Sequence, residues 1–194
     1  MDEMIQAYLE KLYGSYQADI RQCLFSQSNE IYGELYYYSV KKLLKYLKIT
    51  SEDRFLDIGS GLARLIFQVF LTTNAASVSG IEINAARHSI ADRIKEKIEE
   101  KLPELFVGKK SLELIMGDFL NHFFDSISVI YVCSTVFSFE LLQAIGQKIN
   151  EMETVRRVAS MRKMPDLTRF ALVKKIYLQG TWDRTVCYLY VRVM

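Results

Sequence analysis

The residues best suited to chemistry are Asp57, Gly59 and Gly61, within Arg54-Phe55-Leu56-Asp57-Ile58-Gly59-Ser60-Gly61-Leu62-Ala63-Arg64. Phe55, Leu56 and Ile58 form a short apolar run that the glycines end, and Leu65, Ile66, Val69 and Phe70 then recur at helical spacing. A strand running into a glycine turn at a helix N-terminus is the nucleotide-cofactor crevice of an open α/β sheet. Glycine serves there because the backbone must turn sharply and come close to a ligand. A plain strand-turn-helix corner would give the same pattern.

The choice of cofactor rests on two positions. A dinucleotide fingerprint starting at Gly59 needs its third glycine at position 64, where Arg64 stands. Asp57, at the strand end, would repel a pyrophosphate on the helix N-terminus and suits a cationic ligand. S-adenosylmethionine carries an ammonium and a sulfonium and no phosphate, so the stretch favours a methyltransferase over a dehydrogenase. Glu82 lies 25 residues beyond Asp57, near the end of the run 77–83. It is either the acid that takes the ribose hydroxyls or a surface glutamate. Asp118 and Phe119 follow the run 112–116 and either hold the adenine amino group and ring or close a strand-ending turn. Cys133-Ser134-Thr135 ends the apolar strand 128–132 and faces the same crevice by topology.

These residues need a frame. Ile5, Tyr8, Leu9, Leu12, Tyr13 and Tyr16 predict a helix over 3–24, followed by a polar loop over 26–33 and a second helix from Tyr36. The turn 50–53 leads into the central strand. Helices are expected over 62–72, 85–101 and 139–149, and a fifth strand over 156–161. The runs 172–178 and 186–193 flank Gly180-Thr181-Trp182-Asp183 with no room for a helix, so they read as an antiparallel hairpin. The expected fold is α/β: a Rossmann-like, seven-stranded, mostly parallel sheet with a terminal antiparallel hairpin and helices on both faces. An N-terminal helical extension, 1–27, precedes a domain over 28–194.

With 194 residues, 50% of them hydrophobic, the chain fits one domain with a sizeable core. Net charge is +2, but residues 155–194 carry nine cations against two carboxylates, a net +7. This is a solvated charged face or a surface for an acidic partner, and it keeps nucleic acid open as a substrate. Cys23, Cys133 and Cys187 are far apart, and with only His88 and His122 no zinc spacing exists, so no metal site is expected. No run approaches a membrane span, and Asp2 and Glu3 stand where a secretory signal has basic residues. A reduced, cytoplasmic protein is expected.

Ile31-Tyr32-Gly33-Glu34, Phe55-Leu56-Asp57-Ile58-Gly59-Ser60-Gly61, Gly80-Ile81-Glu82, Gly117-Asp118-Phe119-Leu120 and Ser128-Val129-Ile130-Tyr131-Val132 occur in this order. Together with Thr181-Trp182 in the hairpin they resemble the disruptor-of-telomeric-silencing family, the non-SET histone lysine methyltransferases, over roughly residues 28–194. The Tyr-Gly-Glu box is the specific element. The resemblance implies a protein lysine as substrate. It places Tyr32 and Glu34 in the loop over the methionine end of the cofactor and at the rim of the methyl-transfer channel. Asp57, Gly59 and Gly61 would hold the amino acid portion, Glu82 the ribose, and Asp118 with Phe119 the adenine. The chain departs from the family at Leu35, where a threonine is usual, and at Ala63, the third loop glycine. It departs most at Cys133-Ser134-Thr135, which replaces an Asn-Asn-Phe motif whose first Asn helps form the channel. Cys133 and Ser134 are therefore the channel candidates. The basic DNA-binding tail of the eukaryotic members has no counterpart, so histone specificity does not follow. Oligomeric state is left open.

Overall fold

The apolar runs form the strands expected of them. In the computed structural model, which describes residues 2–26, 32–108 and 110–193, β1 spans Arg54–Ile58, β2 Ser77–Glu82, β3 Ser111–Met116, β4 Val129–Val132 and β5 Arg157–Ser160. These five are parallel. The hairpin β6 (Phe170–Gln179) and β7 (Arg184–Arg192) is antiparallel, and β7 joins it to β5 in the opposite sense. The order is β3-β2-β1-β4-β5-β7-β6. Strand order reverses between β1 and β4, so the crevice opens at their carboxyl ends.

Alternation along the strands sorts side chains to two apolar layers. Phe55, Val78, Val129 and Tyr131 face one layer, covered by α1 (Asp2–Ser15), α3 (Tyr37–Leu47), α4 (Arg64–Thr72) and α5 (Ala85–Lys101). Leu56, Ile81, Ile130 and Val132 face the other, with Leu142, Ile145 and Ile149 of α6 (Phe139–Glu151). Two helices start on side-chain caps. Asn84 accepts from the Ala86 and Arg87 amides at 3.1 Å each, and Ser138 accepts from the Leu141 amide at 3.1 Å.

The N-terminal region differs from expectation. In place of one helix over 3–24 there are two, α1 and α2 (Gln17–Ser26), separated at Tyr16. Ser15 Oγ donates to the Leu12 carbonyl at 2.6 Å, and the Tyr16 amide donates to Tyr13, a three-residue step. The Tyr16 hydroxyl then reaches the Arg93 carbonyl of α5 at 3.1 Å. This bend seats α1 on α4 and α2 on α5, which a straight helix could not do. The boundary placed at 27/28, most of the loop placed at 26–33, and Ile31 of the Tyr-Gly-Glu box lie outside the described residues. Leu9 and Tyr13 of the extension are buried in the same core as the sheet. Other ends shift by a few residues: β2 stops at Glu82, β5 is shorter at both ends, and the hairpin is longer, with a bulge between Leu172 and Lys174.

Candidate active site

A cavity of about 520 Å³ lies at the carboxyl ends of β1, β2, β3 and β4. The glycine turn forms its floor. Gly59 and Gly61 take φ of +78° and +57°, and Ala63 takes +61° at the start of α4. Glycine takes this conformation freely, and only Ala63, which bears a Cβ, is strained by it, by about 1 kcal/mol or more. The turn is held by hydrogen bonds: the Gly59 and Ser60 amides donate to the Ile81 carbonyl at 2.9 and 3.0 Å. The Gly61 amide donates to Glu82 Oε2 at 2.7 Å. A side chain on Gly61 would stand 2.7 Å from the Tyr32 ring, so both the φ and the space require glycine there.

Glu82 is buried at the end of β2 and lines the cavity. Its other oxygen accepts from the Asn84 amide at 2.8 Å. Each carboxylate oxygen has a second lone pair, which leaves the group able to accept from a ligand hydroxyl. Asp118 caps a short 3-10 turn (Phe119–Asn121), accepting from the Leu120 amide at 2.9 Å. Phe119 is buried against Phe124 while lining the cavity. Lys148 of α6 fixes this turn by donating to the carbonyls of Phe119, His122 and Leu120 at 2.5, 2.6 and 3.0 Å.

Tyr32, Gly33 and Glu34 form a strap across the turn. The Glu34 amide donates to Thr181 Oγ1 at 3.1 Å and the Thr181 amide to the Glu34 carbonyl at 2.9 Å. Leu35 bridges Gly180, and the Trp182 ring lies against Gly33. The hairpin turn thus staples the strap over the cavity. The Tyr32 hydroxyl donates to Glu34 Oε1 and accepts from the Leu62 amide at 3.2 Å. Glu34 Oε2 pairs with Arg64 Nε at 2.5 Å. Burial pushes the Glu34 carboxyl up, and Arg64 and Tyr32 oppose that shift. Burial, then the Glu34 charge, drives the Tyr32 hydroxyl well above its ordinary range.

Asp57 lines a smaller hollow of about 40 Å³, together with Tyr32, Glu34, Gly59, Gly61 and Cys133, beside the main cavity. It is buried, and its Oδ1 has no hydrogen-bond partner among the described residues. Burial, then the Glu82 carboxylate, raises its carboxyl well above the ordinary value. A buried carboxylate oxygen without a donor is costly unless a ligand supplies one. An ammonium fits that need and a phosphate does not. Cys133 lines both spaces, and burial, then Asp57, pushes its thiol up to about 11. Ser134 does not join it. Its side chain is fully buried, shares a 2.9 Å hydrogen bond with Ser160 and accepts from the Arg162 amide at 2.9 Å. It is absent from the residues lining either space. Cys133 and Ser134 point to opposite sides because adjacent residues leaving a strand alternate.

The cavity therefore gathers Tyr32, Gly59, Gly61, Glu82, Asp118, Phe119 and Cys133, with Glu34 and Asp57 in the adjoining hollow. The sequence reading missed Lys148, Phe137 of the cavity wall, and the partnership of Arg64 with Glu34. Only Arg64 gave a signal, as a cation where a third glycine would stand.

The family described as histone methylation protein DOT1 matches residues 16–175. The histone-lysine N-methyltransferase, H3 lysine-79 specific, of Drosophila melanogaster is 26% identical over 141 residues, covering 70% of this chain. The Caenorhabditis elegans protein of the same name is 25% identical over 137 residues, covering 68%. The chain spans only 8% and 14% of the lengths of these two relatives. Among solved structures, M. capricolum TrmK in complex with S-adenosyl-homocysteine superposes with a TM-score of 0.60 at 13% identity, over 82% of this chain and 70% of that one. An RNA methyltransferase from Salinibacter ruber, also with S-adenosyl-homocysteine, gives 0.54 at 20% identity, over 80% and 91%. These likenesses establish the class I methyltransferase fold.

Proposed function

The chain belongs to the DOT1 family of histone methylation proteins, and from that premise we propose that it transfers the methyl group of S-adenosylmethionine to the amine of a lysine side chain in a protein. The observation that carries the cofactor reading is the unpartnered, buried Asp57 oxygen beside the glycine turn. Family and relatives support lysine as the acceptor.

In this reading Asp57, with Tyr32 and Glu34 above it, takes the amino acid portion of the cofactor. The backbone at Gly59 and Gly61 lies against it, Glu82 accepts from the ribose, and Asp118 and Phe119 hold the adenine. When bound, S-adenosylmethionine supplies a sulfonium-activated methyl carbon for in-line displacement by a neutral amine. The protein works by alignment and by excluding water. Cys133, Thr135, Val136 and Phe137 wall the cavity beyond the glycine turn. With its thiol held up at about 11, Cys133 stays neutral at pH 7 and shapes the channel without acting as a base. The cysteines Cys23, Cys133 and Cys187 form no disulfide among the described residues, which suits a reducing compartment, and the proposal places the protein in the cytoplasm.

Calorimetry with S-adenosylhomocysteine and with NAD tests the cofactor. Micromolar-scale binding of the first and none of the second is expected. Labelled methyl transfer into host and cognate lysates, followed by protease or nuclease digestion, tests the acceptor. Label released by protease and carried on lysine is expected. Label released by nuclease would replace lysine with a nucleic-acid acceptor. Tight binding without label would make this a cofactor-binding protein that lacks catalysis.

A further inference from the structure

The backbone of Leu62, the residue after Gly61, is gripped from both sides. Its amide donates to the Tyr32 hydroxyl at 3.2 Å. The Leu62 carbonyl accepts from the Tyr13 hydroxyl of α1 at 2.6 Å, across 49 residues of sequence. The two tyrosines are joined a second way. Tyr32 donates to Glu34, Glu34 pairs with Arg64, and the Arg64 guanidinium lies 3.7 Å from the centre of the Tyr13 ring. Tyr13, Leu62, Tyr32, Glu34 and Arg64 thus close a ring of contacts. The ring links the first helix, the strap and the glycine turn. Tyr13 is itself fully buried, and burial, then the Glu34 charge, drives its hydroxyl well above the ordinary range, so it stays a donor.

We propose that Tyr13 and Arg64 are positioning residues for the cofactor site, so that α1 is a working part of that site and not an appended extension. Tyr13 lies outside the stretch that the family matches, residues 16–175. Two physical effects follow. The turn carries a strained left-handed residue at Ala63, next to Leu62, and the Tyr13 hydroxyl anchors the backbone there, so the site is formed before the ligand arrives. Arg64 opposes the burial that pushes the Glu34 carboxyl up, which favours the carboxylate form that the Tyr32 hydroxyl and a cationic ligand need. The inference rests on the reading of the cavity as an S-adenosylmethionine site.

The test is calorimetric binding of S-adenosylhomocysteine, which needs no acceptor, at several pH values. Tyr13→Phe should bind about tenfold more weakly, the scale of one lost hydrogen bond to a preformed site. Arg64→Gln should bind about as weakly at pH 7. Its binding should also fall away toward acid at a higher pH than in the wild type, because Glu34 without Arg64 takes up its proton earlier. Arg64→Lys keeps the charge and should keep the wild-type pH profile. Leu9→Ala is the control: Leu9 is buried on the same helix and its apolar side chain makes no hydrogen bond to the glycine turn, so this variant should lose stability and bind within twofold of wild type. Equal weakening by Leu9→Ala and Tyr13→Phe would reduce α1 to packing and overturn the inference. So would Tyr13→Phe and Arg64→Gln proteins that bind like wild type. A wild type that binds no S-adenosylhomocysteine would instead remove the cofactor reading, and this inference with it.

Discussion

Two aspartates lie four residues apart across β1 and are held in opposite ways. At the amino end, Asp53 is buried, and every lone-pair direction it offers is met. It accepts from the Thr50 amide at 2.8 Å, the Thr50 hydroxyl at 2.9 Å and the Ser128 hydroxyl at 2.8 Å, and it pairs with Arg157. Arg157 in turn donates to the carbonyls of Leu47 and Lys48, closing the end of α3 onto the sheet. Burial alone would raise the Asp53 carboxyl, but Arg157, Thr50 and Ser128 outweigh it and bring it down to about 2. At the carboxyl end, Asp57 is equally buried, lacks a partner for Oδ1, and is pushed up by burial and by Glu82. The same residue type is saturated where the sheet only needs to be held together. It is left wanting where the sheet opens onto a cavity. A buried carboxylate oxygen left without a donor is costly unless something else completes it, and in the proposed reading that is a cationic ligand.

The largest effect should come from breaking the saturated end. Arg157→Met leaves the buried Asp53 carboxylate without its counter-charge, a change that costs about 3–5 kcal/mol. Urea denaturation should show that loss, with S-adenosylhomocysteine affinity of the folded fraction unchanged. The acid limb gives a second reading. The folded Asp53 carboxyl lies below its ordinary 3.8, so its stabilisation is complete above that value and is lost as pH falls from 3.8 toward about 2. Wild type should show this limb, and in Arg157→Met it should be weaker, because Thr50 and Ser128 alone then oppose burial. A variant as stable as wild type would make the Asp53 cluster incidental.

The next effect belongs to the open end, with two signs at once. Asp57→Asn removes a buried carboxyl whose charged form burial and Glu82 disfavour, so the free protein should gain about 1 kcal/mol at pH 7. The pH dependence also runs the other way from Asp53. A carboxyl raised in the folded state favours folding when protonated, and that advantage is lost as pH rises through its folded value. The same substitution removes the charge-assisted partner of the ligand ammonium, worth about 1.5–3 kcal/mol, so affinity should fall tenfold or more. A variant that loses stability and keeps its affinity would place Asp57 with Asp53 among the structural groups.

Much of this contrast was legible in the sequence. The turn at 59–61 and the acids Glu82 and Asp118 stand where apolar runs stop, and period-two runs with glycine ends are local signals. Asp57 announced itself by being an acid at a strand end. What stayed hidden is long-range. Lys148 reaches across 26 to 29 residues to three carbonyls of the turn that follows Asp118, and Tyr13 across 49 to one carbonyl of the glycine turn. A side chain that binds backbone carbonyls leaves no pattern at either end of the contact. The break at Tyr16 was hidden for a related reason. The apolar face continues through it, and only the Ser15 hydroxyl and the distant Arg93 carbonyl decide where the helix stops. Ser134 is different, because its orientation was available from alternation: beyond β4, Cys133 and Ser134 cannot share a face.

That pair offers the smallest expected effect and sharpens the contrast most finely, since both residues sit at the open end. Ser134 behaves like the saturated end: its hydroxyl is fully buried, bonded to Ser160 and accepting from Arg162. Ser134→Ala should cost about 1 kcal/mol, the net worth of a typical hydrogen bond, because the Arg162 amide retains a longer contact to Ser160 at 3.4 Å. Affinity for S-adenosylhomocysteine and methyl transfer per folded molecule should be unchanged. Cys133→Asn should do the reverse. Its side chain lines the cavity, so the added amide changes acceptor choice or the number of methyl groups transferred and leaves cofactor affinity nearly intact. A thermal melt on each variant, paired with turnover normalised to folded protein, separates the two. If Ser134→Ala lowered turnover per folded molecule more than stability, the hydroxyl would belong to the channel despite its burial. The division between a saturated and an open end would then run between the strands and not between neighbouring side chains.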